Sequence, residues 1–320
     1  MKVHPVETRL GSERPMAPHT PSSALVNTTF LILVGLALLA TRPAHSCAQE
    51  RELDQWRASP HARSMDSDAD RERMNRPGCA HCHTAQGYLR VTLGGEESMA
   101  PYDNAEGVIC RACHLPADDG ARIGGLRAGS PQDACQGCHD ELVINEPDEL
   151  SWSSQGGVYR GDGGAHIPGV EYPVSIHTGL AKGCVSCHMV PSTDETTATD
   201  VGGHTFRVMT KGYDPEIFNS ASCEACHHGI TGDGLSISQR DVERMLETLA
   251  SLLPQRRDPN QPRLREPRYP ADPSLNEVQR RASWNYWLVQ KDGSLGVHNP
   301  RYVRALLRNS IVELQTAGGG

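Results

Sequence analysis

Large apolar side chains are scarce in this sequence. Only 37% of its 320 residues are hydrophobic and 5% are aromatic, with phenylalanine occurring three times. The chain also contains 31 glycines and 22 prolines, a composition typical of irregular loops. Such a chain has little material for a conventional hydrophobic core. We therefore expect that bound apolar groups fill much of the interior.

The sequence also lacks a net positive charge and has almost no cysteines that could form disulfides. The net charge is −8, which argues against binding to nucleic acid and gives a mild preference for basic partners. Ten of the eleven cysteines belong to a single repeated pattern, and only Cys47 lies outside it. The sequence therefore excludes a disulfide-stabilised framework.

The cysteines and histidines form one short pattern that occurs five times. Each copy reads Cys-x-x-Cys-His, the pattern for covalent attachment of haem c. From the residue frequencies, roughly 0.02 copies are expected by chance in a chain of this length. The five copies, named motifs 1 to 5, are Cys79–His83, Cys110–His114, Cys135–His139, Cys184–His188 and Cys223–His227.

The motifs predict five covalently attached haem c groups. In each motif the two thiols would form thioethers to the haem, and the histidine would bind the iron from one side. One copy alone would also suit half of a zinc site or a redox dithiol, but five copies with the trailing histidine favour haem. We expect the chain without haem to be unfolded or molten. The predicted attachment residues are Cys79, Cys82, Cys110, Cys113, Cys135, Cys138, Cys184, Cys187, Cys223 and Cys226, and the proximal ligands are His83, His114, His139, His188 and His227.

The N-terminal region carries an export signal. Residues 24–40 form an apolar run closed by Thr41 and Arg42, a pattern typical of a signal peptide. Cys47 could instead carry a lipid, and an uncleaved membrane anchor is a third interpretation. All three predict a periplasmic or extracellular location, the compartment in which bacteria attach haem covalently.

The spacing of the motifs predicts the fold class. Successive first cysteines are 31, 25, 49 and 39 residues apart, which leaves room for a helical turn after each motif and a loop. We expect a mainly α fold with much irregular loop and little or no β structure, built around packed haems. Two glycine-rich stretches, residues 120–129 and 156–164, are predicted as loops.

Long helices are predicted only near the C-terminus. Apolar residues at helical spacing indicate helices over 237–253, 274–291 and 300–315, with residues 254–273 as a linker. Ser238, Gly293 and Asn299 supply the predicted boundary signals. The sequence thus divides into a targeting segment 1–48, a haem-binding region 49–230 and a helical region 231–320 that packs on the haem core.

The second axial ligand of each iron decides between electron transfer and catalysis, because a second strong ligand keeps substrates off the iron. This second ligand could be a histidine, or a methionine such as Met99 or Met189. Any single histidine could also be an ordinary surface or hydrogen-bonded residue. The stronger candidates for distal ligands are His61, His177, His204 and His298, and the weaker ones are His81, His166 and His228.

Two segments resemble the pentahaem cytochrome c nitrite reductases that form ammonia. Ser175-Ile176-His177 before motif 4 resembles the segment that carries a distal ligand in that family, and His204 follows at a similar spacing. Gly296-Val297-His298-Asn299-Pro300 resembles its late ligand before a terminal helix. The resemblance covers roughly residues 59–310 and implies a similar arrangement of haems.

The catalytic residues of that family match less well. In those enzymes the first motif ends in lysine, whereas motif 1 here ends in His83, and the position of their tyrosine reads Asp140 to Val143. His166 stands at the spacing of their active-site histidine, and Arg63 or Arg57 would supply the arginine.

Two functions remain open at this point. The first is electron transfer along five haems, with redox partners such as a quinol-oxidising membrane cytochrome, other cytochromes or a terminal acceptor. The second is reduction of nitrite, hydroxylamine or a sulfur oxyanion at one open haem, with His166 and Arg63 in the site. The terminal helices could also join two copies into a homo-oligomer.

Overall fold

The computed structural model describes residues 44–116, 123–140, 142–146, 149–152, 154–210, 212, 216–257 and 265–317. Residues 50–320 form one compact unit, distinct from residues 1–49, so the C-terminal helices belong to the same unit as the motifs. The predicted targeting run, residues 24–40, lies outside the described residues. None of the described helices is both long and apolar enough to cross a membrane.

The first part of this unit is built from short helices joined by irregular loops. In order, the α-helices are α1 Ala44–Ala58, α2 Asp68–Met74, α3 Ala80–His83, α4 Ala85–Gly87, α5 Cys110–Cys113, α6 Pro131–His139, α7 Gln155–Arg160, α8 Val185–His188 and α9 Ala221–Glu224. A π-helical turn, Tyr88–Thr92, and two 3₁₀ turns, Ile176–Gly179 and Gly203–Thr205, add to these.

Strands occur only as three antiparallel hairpins in the described residues. They confirm the prediction of a mainly α fold with little β structure. They also correct two predictions, because strands occupy part of the glycine-rich stretch 120–129 and part of the linker 254–273. The hairpins are β1 His114–Pro116 with β2 Ile123–Leu126, β3 Leu142–Glu146 with β4 Glu149–Trp152, and β5 Gln255–Arg257 with β6 Arg265–Pro267.

The second glycine-rich stretch is not a simple loop either. Helix α7 begins at Gln155 and ends at Arg160, with Gly161 in the left-handed region at φ 81°. A Cβ on Gly156 would collide with the side chain of Asp140, so this glycine allows close packing. The prediction was wrong because glycine also serves close approach of buried backbones.

Two of the three C-terminal helices are longer than predicted, and the middle one is shorter. They are α10 Gly232–Leu252, α11 Glu277–Asp292 and α12 Pro300–Ala317. Helix α10 starts earlier because Thr231, not Ser238, accepts the capping hydrogen bond, from the Gly234 N–H. The predicted end of α11 at Gly293 is confirmed, and Asn299 Oδ1 accepts from the Tyr302 N–H at the start of α12 as expected.

These helices build a conventional hydrophobic core, which the composition did not predict. Leucine and valine side chains from all three helices meet there with Tyr302 and Val158. Leu249, Leu306 and Val303 have no exposed surface. Each fully buried leucine contributes about 2 kcal/mol from removal of apolar surface from water. The scarce apolar residues are therefore concentrated in the region after the motifs.

The core also holds the segment that leads into motif 4. Ser154 Oγ donates to the Leu288 carbonyl at 2.8 Å, and Trp284 Nε1 donates to the Gly163 carbonyl at 2.8 Å. Asn285 bonds Ala165 twice, accepting from its N–H and donating to its carbonyl. The C-terminal helices thus fix a loop that lies over a hundred residues earlier in the chain.

We expect Leu249→Ala to lower the free energy of unfolding by about 3 kcal/mol, because it leaves a cavity in this core. Leu252→Ala, on the same helix but 37% exposed, is the matched control and should cost less than about 1 kcal/mol. Chemical denaturation of the haem-loaded protein, followed by circular dichroism at the helix band, measures both. Equal losses would contradict the described core.

Candidate haem centres

Each motif folds as a helical turn. The histidine N–H donates to the carbonyl of the first cysteine at 3.1 Å in motif 1, 3.0 Å in motif 4 and 2.9 Å in motif 5. Residues at positions i, i+3 and i+4 lie on the same face of such a turn. Both thiols and the imidazole therefore face one side, as attachment of a single haem requires. The turn spans the motif itself, rather than following it as predicted.

The thiols of the motifs are available for such a bond. None of the ten motif cysteines forms a disulfide with another described residue. Cys79 and Cys110 are partly buried, whereas Cys226 is exposed. The part of the chain that the structure describes is thus compatible with ten thioether bonds.

Four motif histidines face a second histidine across a gap of nearly constant width. Each second histidine is one of the four stronger candidates for a distal ligand. The ring centroids are 6.2 Å apart for His114 and His204, 6.1 Å for His139 and His61, 6.0 Å for His188 and His298, and 6.1 Å for His227 and His177.

The width of this gap tests whether haem iron fits. Bonds between a metal and an imidazole nitrogen are about 2 Å long, and the nitrogen lies about 1 Å from its ring centroid. Two rings bound in line to one iron therefore have centroids about 6 Å apart. The observed distances of 6.0 to 6.2 Å match this value, so the four pairs fit a haem iron with two histidine ligands.

Hydrogen bonds orient four of these rings. Histidine ligands commonly donate one ring N–H to an acceptor, which leaves the other nitrogen for the metal. Here Nδ1 is the atom with the acceptor, so Nε2 remains for iron. The acceptors are the Gly124 carbonyl for His114 at 3.1 Å, the Val297 carbonyl for His177 at 2.9 Å, the Phe206 carbonyl for His188 at 2.9 Å and Asp292 Oδ1 for His298 at 2.6 Å.

Burial disfavours the charged form of four of these imidazoles. It lowers the pKa of His61 to about 4, with smaller contributions from His139 and His83. Burial is also the largest cause of the lowered pKa values of His139, His188 and His204. A neutral imidazole is the form that binds a metal. These histidines are therefore ready to bind iron at neutral pH.

His298 is the exception among the buried rings. Burial lowers the pKa of its imidazole, but the carboxylate of Asp292 raises that pKa by more, and the net shift is upward. The two side chains form an ion pair when the imidazole is protonated.

Motif 1 has different surroundings. In the described residues, no second imidazole faces His83 as one does in the other four motifs. Burial is the largest cause of the lowered pKa of His83, and the nearby His81, His139 and Arg73 lower that pKa further. Arg73 is a cation beside this motif that the sequence analysis missed, because no motif marks it.

The remaining candidate ligands do not face a motif histidine in the described residues. His81 lies within motif 1 itself. His228 has an 84% exposed side chain and lies 3.9 Å from Glu224. His166 Nε2 is 2.9 Å from the hydroxyl of Tyr302, and its ring stacks on Tyr172 at 4.3 Å.

The two predicted catalytic arginines form local contacts. Arg63 donates to the Ala58 carbonyl at 3.3 Å, and Arg57 pairs with Asp54 at 3.1 Å. Both contacts are exposed to solvent. Neither arginine is joined to His83 or His166 by a contact of this structure.

Side chains outside the five motifs hold the candidate distal ligands in place. Gln55 Oε1 accepts from the His204 N–H at 3.0 Å, and its Nε2 donates to the Ala198 carbonyl at 2.7 Å. Gly203, at φ 53°, leaves room for this glutamine, because a Cβ there would collide with it.

Asn299 positions the segments of two candidate ligands at once. Its Oδ1 accepts from the Ser175 N–H at 2.9 Å, and its Nδ2 donates to the Tyr159 carbonyl at 3.1 Å. Asn299 directly follows His298 in sequence, and its bond to Ser175 fixes the backbone segment that carries His177. The sequence indicated only its role as a helix cap.

Contacts join the motifs to one another. Motifs 2 and 3 share a small apolar cluster, against which Cys113 and Cys138 both pack. In motifs 1 and 3, the thiols of Cys82 and Cys138 each lie 3.9 Å from the other residue's carbonyl oxygen. The neighbouring thiol of Cys135 is the largest influence on the pKa of Cys184 and lowers it, so motifs 3 and 4 are neighbours.

Motif 5 completes the series. Ser222 Oγ, directly before motif 5, donates to the carbonyl of Cys187 in motif 4 at 2.8 Å. Groups bound at motifs 1, 3, 4 and 5 would therefore be neighbours in that order, with motif 2 beside motif 3.

Comparisons with known proteins found two solved structures of similar fold. No protein-family model and no curated protein matches the chain. The crystal structure of the outer cell wall cytochrome OcwA matches with a TM-score of 0.53 and 22% identity, covering 81% of this chain and 49% of OcwA. The undecaheme cytochrome from the S-layer of Carboxydothermus ferrireducens matches with a TM-score of 0.52 and 17% identity, covering 81% of this chain and 40% of that one.

The fold is therefore that of multihaem cytochromes. The chain spans about half of the length of one of these structures and two fifths of the other. The closer resemblance to nitrite reductases and the number of five haems remain predictions.

We expect His204→Ala to convert one haem from low spin to high spin, because it removes the ring that faces His114. His228→Ala, which removes an exposed histidine beside motif 5, is the matched control and should leave all spin states unchanged. Electron paramagnetic resonance (EPR) of the oxidised protein measures both. A His204→Ala protein that keeps the wild-type spectrum would contradict the pairing.

Proposed function

We propose that this chain is a multihaem c-type cytochrome that passes electrons along five covalently bound haems outside the cytoplasm. The observation that carries this proposal is the set of four histidine pairs whose centroids lie 6.0 to 6.2 Å apart. Two histidines on one iron block access of substrates, which favours electron transfer over catalysis. Haem, when bound, supplies the one-electron chemistry.

The chain's own residues would hold the haems close together and shield them. Contacts between Cys82 and Cys138 and between Cys135 and Cys184 bring successive motifs together. Short separations favour rapid electron passage between neighbouring groups. Buried imidazoles such as His61 and His188 would complete each iron and tune its potential.

Motif 5 offers a place where electrons could enter or leave. Cys226 and His228 are exposed, and Ile176, next to His177, has 87% of its surface exposed. A redox partner that docks there would approach the last motif of the series closely. The partner would be a quinol-oxidising membrane cytochrome, another cytochrome or a terminal acceptor, and docking would be weak and transient. Association of two copies through the terminal helices is a further part of this proposal.

The proposed location rests on two observations. The apolar run 24–40 has the pattern of an export signal. The two similar structures are described as proteins of an outer cell wall and of an S-layer. A periplasmic or extracellular location is consistent with both.

One observation favours a second candidate function. His83 faces no second imidazole in the described residues, so the iron of motif 1 would have an open axial position. An open position lets a small molecule bind. Nitrite, hydroxylamine or a sulfur oxyanion could then be reduced there, with Arg73 as the nearby cation.

Haem counting tests the primary proposal. We expect five haems per chain in the pyridine haemochrome assay and five electrons per chain in a coulometric titration. Cys110→Ala combined with Cys113→Ala should leave four haems, because motif 2 then has no thiols. Cys47→Ala, which changes the cysteine outside the motifs, should keep five. A wild-type count below five would contradict the proposal.

EPR with added nitrite tests the second candidate. An open motif 1 predicts a high-spin signal worth one haem that nitrite perturbs, and steady turnover with a reduced dye. His166→Ala should abolish turnover if this histidine serves the site. Five low-spin haems and no turnover would leave electron transfer as the function.

A further inference from the structure

Asp292 is a buried carboxylate at the end of α11. Its side chain has no exposed surface, and its Oδ1 lies 2.6 Å from Nδ1 of His298. No motif of the sequence marks it, and the axial role of the histidine does not require it. A buried charge is costly unless it is hydrogen-bonded, so its position needs a reason.

The acceptor for His298 differs in kind from those of the other oriented rings. His114, His177 and His188 each bond a neutral backbone carbonyl through Nδ1. His298 alone among these four bonds a carboxylate. Hydrogen bonds to an ionised acceptor are shorter and roughly twice as strong as neutral ones. The observed distance is also the shortest of the four.

The carboxylate is held in place independently of the histidine. Asp292 Oδ2 accepts from the Ser294 N–H at 3.2 Å and from the hydroxyl of the same serine. Gly293 lies in the left-handed region at φ 69°, which lets the chain turn back at this point. The turn therefore fixes Oδ1 where the imidazole can donate to it.

We propose that Asp292 is a positioning residue that lowers the reduction potential of the haem at motif 4 relative to the haems whose ligands bond only carbonyls. This inference rests on the proposed function, because it needs a haem between His188 and His298. A strong acceptor draws the Nδ1 proton and makes the imidazole a better donor to iron. A buried negative charge nearby also favours the ferric state, which carries one more positive charge.

The position of motif 4 gives this effect a consequence. Motif 4 contacts motif 3 through Cys184 and motif 5 through Cys187. A haem held at motif 4 would therefore lie between those of motifs 3 and 5 and would supply one-electron chemistry there. A lowered potential at motif 4 would make its reduction less favourable than that of a haem whose ligands bond only carbonyls.

Asp292→Asn tests the inference by removing the charge and keeping the shape. We expect a positive shift of one of the five midpoint potentials in a spectroelectrochemical titration, with five haems retained. His298→Ala identifies the haem, because the EPR signal that changes in Asp292→Asn should be the one that becomes high spin. An unshifted set of potentials in a five-haem Asp292→Asn protein would overturn the inference.

Asp272 supplies a matched control within the same chain. Its Oδ1 accepts from the Ser274 N–H at 2.9 Å and from the Ser274 hydroxyl at 2.6 Å, so it forms the same Asp-x-Ser turn. Its other oxygen accepts from Arg268 rather than from a histidine. Asp272→Asn should leave all five potentials unchanged. A shift equal to that of Asp292→Asn would overturn the inference.

Ser294→Ala decides the matter if Asp292→Asn fails to load five haems. This variant removes the hydroxyl that donates to the Asp292 carboxylate. The hydrogen bond from His298 to that carboxylate should then become stronger, and the same midpoint potential should shift downward. No shift would overturn the inference. A wild-type protein without haem at motif 4 would instead contradict the proposed function, so the two failures are distinguishable.

Discussion

The proposed function places one requirement on this molecule, that a haem iron takes two axial ligands from opposite faces of a flat ring. Each motif would supply one ligand from a helical turn, and the chain would have to deliver the other from elsewhere at the correct distance. His204 reaches His114 and His298 reaches His188 with ring centroids 6.2 and 6.0 Å apart. The loops between motifs are therefore supports for ligands as well as connections.

The C-terminal helices explain how a chain with few aromatic residues can hold paired histidines at a nearly constant distance. Their core of leucine and valine side chains is conventional, and it lies after the motifs in sequence. From that core, Asn299 and the Val297 carbonyl hold the segment of His177, while His298 follows Val297 directly. Two of the four paired ligands thus depend on one rigid helix start. The short helices of the motif region have no comparable core in the described residues.

Five motifs that look alike in sequence differ in their surroundings. The Nδ1 atoms of His114, His177 and His188 bond backbone carbonyls, that of His298 bonds a carboxylate, and His83 faces no second ring in the described residues. Because a ligand and its hydrogen bond tune an iron, haems attached by the same chemistry would differ in potential under the proposed function.

Residue identities alone were enough to predict the repeated cofactor, the mainly α fold, the end of α11 at Gly293 and the cap at Asn299. These features follow from local chemistry, because a motif or a helix boundary is written in a few adjacent residues. They did not reveal that His61 faces His139, that Gln55 supports His204, or that Asp292 meets His298. Those contacts join residues distant along the chain, and the packing of the whole chain selects them. The strands near Gly124 and helix α7 were missed for the same reason, because pairing and close packing outweigh the local preference of glycine for loops.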